Sequence, residues 1–204
     1  MKSTIDAVQL MGSRLCHDLA APIGAASLGL EMLHEKNLTK DQQDIVSLIE
    51  QSLSSTKQRL ELFRFLLGYG QTEDKPLMSE ILIFLDAYWQ NSRLKLHTEG
   101  IDHLQGLPAR FVLASILTAS ESLLRGGELN VKASDQTLSI LLSGSDIKIA
   151  PETSKVLMGE ATVTSNSLWA WYAHSLASDL QVHIEVHEAP LGIVCSGWGA
   201  RIRT

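Results

Sequence analysis

The first third of the sequence carries a long helical pattern and no alternating strand pattern. Between residues 3 and 35, apolar residues recur at steps of three and four, which is the spacing of one face of an α-helix. A polar break at residues 36–39 is followed by a second such pattern over residues 40–67. Two long helices joined by a short connection predict an antiparallel helical hairpin.

A two-helix hairpin cannot enclose its own apolar faces. The face of the first helix is formed by Val8, Met11, Leu15, Leu19, Ile23, Ala26, Leu30 and Leu33. The face of the second is formed by Ile45, Ile49, Leu53, Thr56, Leu60, Phe63 and Leu67. Pairing two hairpins from two chains into a four-helix bundle buries both faces, so we expect a homodimer.

The remainder of the chain has a mixed pattern after a linker at residues 68–76, which contains two glycines and ends on a proline. Helices are predicted at residues 77–91, 108–124 and 165–177. Strands are predicted at residues 128–133, 137–143, 182–188 and 192–202. The predicted fold class is therefore α+β, with a helical hairpin at residues 1–70 and a sheet covered by helices on one face at residues 76–204.

Composition excludes several classes of function. The net charge is −6 and no basic stripe is present, which argues against a nucleic-acid partner. No charge-free apolar run reaches about 18 residues, so no membrane span is expected.

Cys16 and Cys195 are isolated, which favours reduced thiols in a cytoplasmic protein. His183 and His187 lie in a predicted strand with no third ligand nearby, so we expect surface histidines and no metal site.

His17 is the most informative single residue. At about 100° per residue, the apolar face of the first helix centres near Leu15 and Leu19, and His17 lies about 180° from it. Its imidazole should therefore point to solvent. The small residues Ala20, Ala21 and Gly24 follow on the same face and leave the ring unshielded.

Other residues on this outward face are candidates for docking a partner. Leu10, Ser13 and Leu28 flank His17 along the helix, and exposed leucines beside a reactive group suggest a docking surface. Packing of these leucines against the second domain is an equally good interpretation. Lys57 should lie at the height of His17 on the second helix, where it either attracts an acidic partner or only makes the bundle soluble.

Pro22 lies in the middle of the first helix, where it removes one backbone hydrogen bond and should bend the chain. The carbonyl that loses its usual donor belongs to Asp18. Arg14 lies three residues before His17, within reach of the same surface, and could pair with a phosphoryl group. Asp18 could hold the imidazole in one tautomer.

An exposed imidazole suits phosphoryl transfer. It is a nucleophile at neutral pH because its ordinary pKa is near 6.5. Phosphoryl transfer needs chiefly an in-line approach and charge stabilisation. A histidine that receives phosphate from an aspartyl phosphate can therefore act alone, provided that the partner supplies the metal and a lysine.

The segment LCHDLAAPI at residues 15–23 resembles the H-box of sensor histidine kinases, in which a histidine and an acid precede a proline. More closely, RLCHDL at residues 14–19, PIGA at 22–25 and FR at 63–64 resemble the alphaproteobacterial histidine phosphotransferases of the ChpT type. This resemblance implies a dimeric four-helix bundle that carries His17 as phosphoacceptor, beside a degenerate histidine-kinase ATPase-like α/β sandwich. Phosphorylation on Nε2 is what the kinase resemblance implies.

Three nucleotide-binding boxes of an active kinase are absent from the expected places. ILTASE at residues 116–121 has no metal-binding asparagine, and SGSDIKI at 143–149 puts Gly144, Asp146 and Lys148 where an Asp-x-Gly-x-Gly box belongs. SNSLWAW at residues 165–171 has no glycine, although a phosphate cradle needs backbone free of side chains. We therefore expect no ATP binding and no cofactor held by this chain.

Three hypotheses follow from these patterns. In the first, His17 shuttles a phosphoryl group between receiver-domain aspartates, and the receivers supply Mg²⁺. The resemblance implies a CckA-like hybrid histidine kinase as donor and CtrA-like response regulators as acceptors. The alternatives are an ATP-dependent sensor histidine kinase with a divergent pocket and a non-catalytic dimeric adaptor whose histidine is incidental.

Overall fold

The computed structural model describes residues 4–34, 42–68, 76–89 and 92–198. The connection at residues 35–41 and most of the expected linker, residues 69–75, lie outside these ranges. The chain forms six α-helices and five strands within them. The helices are α1 Thr4–His34, α2 Gln42–Leu67, α3 Met78–Tyr88, α4 Gly106–Ser120, α5 Pro151–Leu157 and α6 Leu168–Leu180. The strands are β1 Leu94–Glu99, β2 Gly127–Ala133, β3 Thr137–Ser143, β4 His183–Glu188 and β5 Leu191–Ser196.

The strands form one sheet in the order β1-β2-β3-β5-β4. β1 and β2 are parallel and are connected through α4, whereas the other neighbours are antiparallel. α4 contacts β2, β3 and β5, and α6 contacts β4. Alternate strand residues such as Leu129, Val131, Leu138 and Ile140 are buried beneath these helices. The predicted α+β class, with helices on one face of a sheet, is confirmed.

Two elements were not predicted from the sequence. β1 alternates half-buried and exposed residues and contains no fully buried side chain, so its apolar signal is weak. α5 has seven residues, too few for a helical period to stand out. It begins at Pro151, a residue suited to the first turn because its missing N–H would be unpaired there anyway. β5 ends at Ser196, and residues 199–202 of the predicted last strand lie outside the described ranges.

The hairpin packs on the sheet domain along the end of α2. Leu62, Phe65 and Leu66 are fully buried and belong to the same apolar cluster as α4 and α6. Phe63 stacks on Trp169 of α6 with ring centroids 6.4 Å apart. The hydroxyl of Tyr172 donates a hydrogen bond to the carbonyl of Leu66. These α6 aromatic residues therefore lie at the contact between the hairpin and the sheet domain.

The other end of the hairpin has a small core, formed by Ala26, Ile45 and Ile49. α1 and α2 approach closely there because Gly29 has no side chain; a Cβ at this position would lie 2.6 Å from Cγ1 of Ile49. Several residues of the two predicted apolar faces remain exposed in the single chain. We call them the outer apolar stripe: Val8, Ile23 and Leu30 of α1, with Leu53, Leu60 and Leu67 of α2.

Candidate functional site

His17 lies in the middle of α1 with its side chain 83% exposed, as the helical pattern predicts. Its Nδ1 atom lies 3.2 Å from Oδ1 of Asp18. Because a carboxylate can only accept hydrogen bonds, this contact places the ring proton on Nδ1. Nε2 then carries the lone pair, so the nucleophilic nitrogen is the one that Asp18 does not use.

Asp18 is held on its other side by Arg14. The carboxylate is only 11% exposed, and its Oδ2 atom lies 3.2 Å from Nε of Arg14, one helical turn earlier. The guanidinium of Arg14 also reaches Oε1 of Glu121, at 3.3 Å, in the turn after α4. Arg14 therefore contacts two carboxylates through Nε and NH2, and its pairing with a phosphoryl group stays a prediction.

Burial dominates the electrostatics of this cluster. Desolvation raises the pKa of Glu121 to about 7, because it outweighs the attraction of Arg14 and because Asp18 adds repulsion. Burial alone would lower the pKa of Arg14, but the carboxylates of Asp18 and Glu121 outweigh it and raise that pKa. Tyr88 of α3 also lies here, and burial followed by repulsion from Asp18 raises the pKa of its phenol. The guanidinium of Arg59 lies over this phenol ring, 4.6 Å from its centroid.

The small residues that were predicted to leave His17 unshielded do so. Ala20, Ala21 and Gly24 are exposed, and a Cβ added at Gly24 would meet no atom within 4 Å. Ser13, one turn before the histidine, is exposed as well. An incoming protein surface can therefore approach the imidazole along this face of α1.

The two flanking leucines differ. Leu28 is 56% exposed, which leaves it available for docking. Leu10 is half-buried and packs against the core that the hairpin shares with the sheet domain, which agrees with packing, the second of the two interpretations. Lys57 is exposed on α2, and its role in attracting a partner stays a prediction.

Pro22 lies inside α1, and the helix continues through it from Thr4 to His34. The proline has no N–H to donate, so the carbonyl of Asp18 lacks its helical partner.

The segments that would form nucleotide boxes are filled with side chains. Thr118 is buried, and its hydroxyl donates to the carbonyl of Ala114, 2.8 Å away. Trp169 is buried against Phe63 where a glycine-rich box would begin. Asp146 is exposed and lies 3.6 Å from NH1 of Arg125.

The other histidines and the thiols take ordinary roles. His183 and His187 lie on the exposed side of β4 and both contact Glu185. In the described ranges, no group of three or more His, Cys, Asp or Glu side chains is arranged to hold a metal ion. Cys16 and Cys195 are free, and burial raises the pKa of the Cys195 thiol to about 12. None of the described helices combines the length and apolar character needed to cross a membrane.

Glu121 is the functional candidate that sequence reasoning missed. It follows α4 directly and is separated by more than a hundred residues from Arg14, so no helical spacing connects them. The signal available in the sequence was an acidic residue within the largely apolar helix predicted at residues 108–124.

Comparison with known proteins identifies the family. Residues 78–190 match the family model described as the histidine phosphotransferase C-terminal domain. The chain belongs to the histidine phosphotransferase family. This match covers most of the sheet domain, and family membership assigns the protein a phosphotransfer role.

Two relatives span nearly the whole of this histidine phosphotransferase. The protein phosphotransferase ChpT of Brucella abortus (strain 2308) is 26% identical over 205 residues, covering 95% of this chain and 96% of the relative. A solved structure described as a bacterial phosphotransferase is 25% identical, with a TM-score of 0.76 over 96% of this chain and 97% of that chain. The similarity therefore includes the hairpin that carries His17 as well as the sheet domain.

Proposed function

We propose that this histidine phosphotransferase shuttles a phosphoryl group between the aspartates of two receiver domains, with His17 as the intermediate carrier. The observation that carries the proposal is the exposed imidazole, whose Nδ1 contacts Asp18 while Nε2 has no hydrogen-bond partner among the described residues. The small, exposed side chains of α1 beside it support docking of a protein, because an incoming protein surface can approach the imidazole along this face.

The transfer step needs few groups from this chain. Nε2 attacks the phosphorus of the aspartyl phosphate in line with the bond to the carboxylate, which leaves as that bond breaks. The Nδ1 proton stays on the ring, and Asp18 stabilises the positive charge that the phosphorylated imidazole acquires. The receiver would supply Mg²⁺ and its own charges. We propose a CckA-like hybrid kinase as donor and CtrA-like regulators as acceptors.

A homodimer is part of the proposal. The outer apolar stripe runs along both helices of the hairpin, and burying it against a second copy would form a four-helix bundle. His17 lies on the opposite side of α1 from Val8 and Leu30, so dimer formation leaves the imidazole accessible. Free thiols at Cys16 and Cys195 fit a cytoplasmic location.

We also propose that the sheet domain binds no ATP. The side chains of Thr118 and Trp169 occupy places where a kinase has an asparagine and glycines. Without a phosphate cradle, the protein depends on an aspartyl phosphate for its phosphoryl group. Calorimetry with ATP and Mg²⁺ tests this directly, and binding in the micromolar range would favour a divergent kinase instead.

The function is tested by incubating the protein with a receiver domain carrying labelled aspartyl phosphate. We expect acid-labile, alkali-stable label on the wild-type protein and none on His17→Ala. His97→Ala is the matched control, because His97 is an exposed histidine on β1, and it should label like the wild type. Label that persists on His17→Ala would reject this residue as the carrier. Normal receiver binding with no label on any variant would instead indicate an adaptor.

A further inference from the structure

A continuous chain of polar contacts connects the sheet domain to the imidazole of His17. Glu121 Oε1 lies 3.3 Å from NH2 of Arg14, and Nε of Arg14 lies 3.2 Å from Oδ2 of Asp18. Asp18 Oδ1 lies 3.2 Å from Nδ1 of His17. Each group uses a different atom for each neighbour, so all three contacts exist together.

The planar guanidinium of Arg14 is the middle of this chain. Its five N–H groups have fixed directions, so contacts with two carboxylates on different sides determine how the plane lies. Asp18 alone would fix only the Nε edge of a side chain that is 32% exposed. Glu121 fixes the other edge from a separate element, the turn after α4.

A glutamate at position 121 is a poor choice for stability alone, because burying its carboxylate costs free energy. Its side chain is largely buried, and desolvation outweighs the attraction of Arg14. The other charged or titratable groups around it are Asp18 of α1, Tyr88 of α3, and Arg93 and Arg125, which line the same cleft. An apolar side chain would fill the space without this penalty.

We propose that Glu121 is a positioning residue for phosphoryl transfer at His17. By fixing Arg14, it orients the Asp18 carboxylate so that Oδ1 accepts a hydrogen bond from Nδ1–H and Nε2 faces the incoming phosphorus. During the step the N–P bond forms at Nε2, the P–O bond to the receiver carboxylate breaks, and the proton stays on Nδ1. This proposal rests on the proposed function of His17 and assigns the sheet domain a part in the chemistry.

The first test separates positioning from docking. In Glu121→Gln, we expect the transfer rate at saturating phosphorylated receiver to fall by about 3- to 10-fold, as is usual for coupled groups in one hydrogen-bond network. The receiver concentration that gives half the maximal rate should not change. The control is Glu99→Gln, which removes an ion pair of 2.7 Å with Lys132 in the same domain but away from α1. It should leave both quantities unchanged.

The second test asks whether Glu121 acts through Arg14. In an Arg14→Met background, Glu121→Gln should have no further effect on the rate, because the intermediate link is already missing. If the double variant instead shows both reductions in transfer rate, multiplied together, the proposal is overturned. Circular dichroism and the elution volume of each variant establish that it is folded.

The third test needs no partner protein. At about pH 8.5, where an ordinary imidazole is neutral, ¹⁵N shifts of the His17 ring report which nitrogen carries the proton. We expect the Nδ1–H tautomer to dominate in the wild type and in Glu99→Gln, and to lose population in Glu121→Gln. An unchanged tautomer ratio in Glu121→Gln overturns the proposal. A changed ratio in a protein that accepts no phosphate supports the positioning and rejects the proposed function.

Discussion

The hairpin and the sheet domain differ in how completely each buries its apolar side chains. In the sheet domain, residues such as Phe111, Leu113 and Ile140 are fully buried. In the hairpin, Val8 is 64% exposed and Leu53 is 55% exposed, although both lie on the faces that the helical pattern marks as apolar. The sheet domain is therefore complete within one chain, whereas the hairpin is not.

This difference separates two roles. The sheet domain buries its apolar side chains and holds Glu121 in place, and the hairpin leaves one face exposed for the proposed second copy and another for the proposed phosphorylated partner. The buried residues that the hairpin shares with the sheet domain lie at Ala7 and Met11 of α1 and at residues 62–66 of α2, whereas Ala26 and Ile49 belong to a small separate core.

The largest difference in stability should appear between a core position of the sheet domain and an apolar position of the hairpin that the single chain leaves exposed. Phe111→Ala removes a ring that is fully buried and lies 5.7 Å from the ring of Trp198, and we expect a loss of about 3–5 kcal/mol. Leu53→Ala, at an exposed position of the hairpin, should cost less than about 1 kcal/mol in the monomer. Urea unfolding at one fixed protein concentration measures both. Equal losses would show that the hairpin core is as complete as the sheet domain.

The outer apolar stripe should determine the oligomeric state. Replacing Leu53 and Leu60 by glutamate puts four charges into the proposed bundle, and we expect dimer affinity to fall on the order of 100-fold. Analytical ultracentrifugation over a dilution series measures this change. Leu124→Glu is the matched control, because Leu124 is an equally apolar residue that is 92% exposed on the sheet domain. A wild-type protein that is monomeric at all concentrations would contradict the proposed dimer.

Replacing two glycines of α1 by alanine compares the inner and outer faces of the hairpin by the change in stability that each substitution causes. Gly29→Ala puts a Cβ 2.6 Å from Cγ1 of Ile49, and we expect a net loss of about 1 kcal/mol after the gain in helix propensity. Gly24→Ala meets no atom within 4 Å and should gain up to about 1 kcal/mol. Thermal unfolding of both variants provides the comparison.

A large side chain at position 24 tests whether the receiver docks on this face of α1 without disturbing the fold. Gly24→Leu should fold as well as Gly24→Ala but slow phosphoryl transfer, because the larger side chain lies on the same face as His17. If Gly24→Leu transfers phosphate at the wild-type rate, this part of α1 is not covered by the receiver.

The smallest expected effect is a dependence of stability on pH at the contact between the two regions. The pKa of Glu121 is raised from 4.5 to about 7 in the folded protein, so the folded state holds a proton that the unfolded state has lost between these values. Its contribution to stability is therefore present below about pH 4.5 and is lost as pH rises through about 7. Between about pH 5 and pH 8, Glu121→Gln should lose about 1 kcal/mol less stability than the wild type. If the free energy of unfolding changes with pH by the same amount in both proteins, the raised pKa of Glu121 is contradicted.

The same comparison explains what could be predicted from the sequence. α1 and α2 were predictable because a three-four apolar period persists over many turns, and the exposure of His17 followed from its angle to that period. β1 was missed because an edge strand with no fully buried residue has little apolar signal. The contact of Arg14 with Glu121 was missed, and the sequence left open whether Leu10 is exposed or packed, because both depend on contacts with a distant part of the chain. A helical wheel describes one helix and contains no information on what the second domain covers.

The central claim is that the phosphoryl group rests on His17 and reaches it without nucleotide. The most direct measurement is a complete relay in nucleotide-free buffer, with a purified phosphorylated donor receiver, this protein, and an unphosphorylated acceptor receiver. We predict that the acceptor gains phosphate in the presence of the wild-type protein and not in the presence of His17→Ala. Phosphate reaching the acceptor at the same rate through His17→Ala would contradict the account.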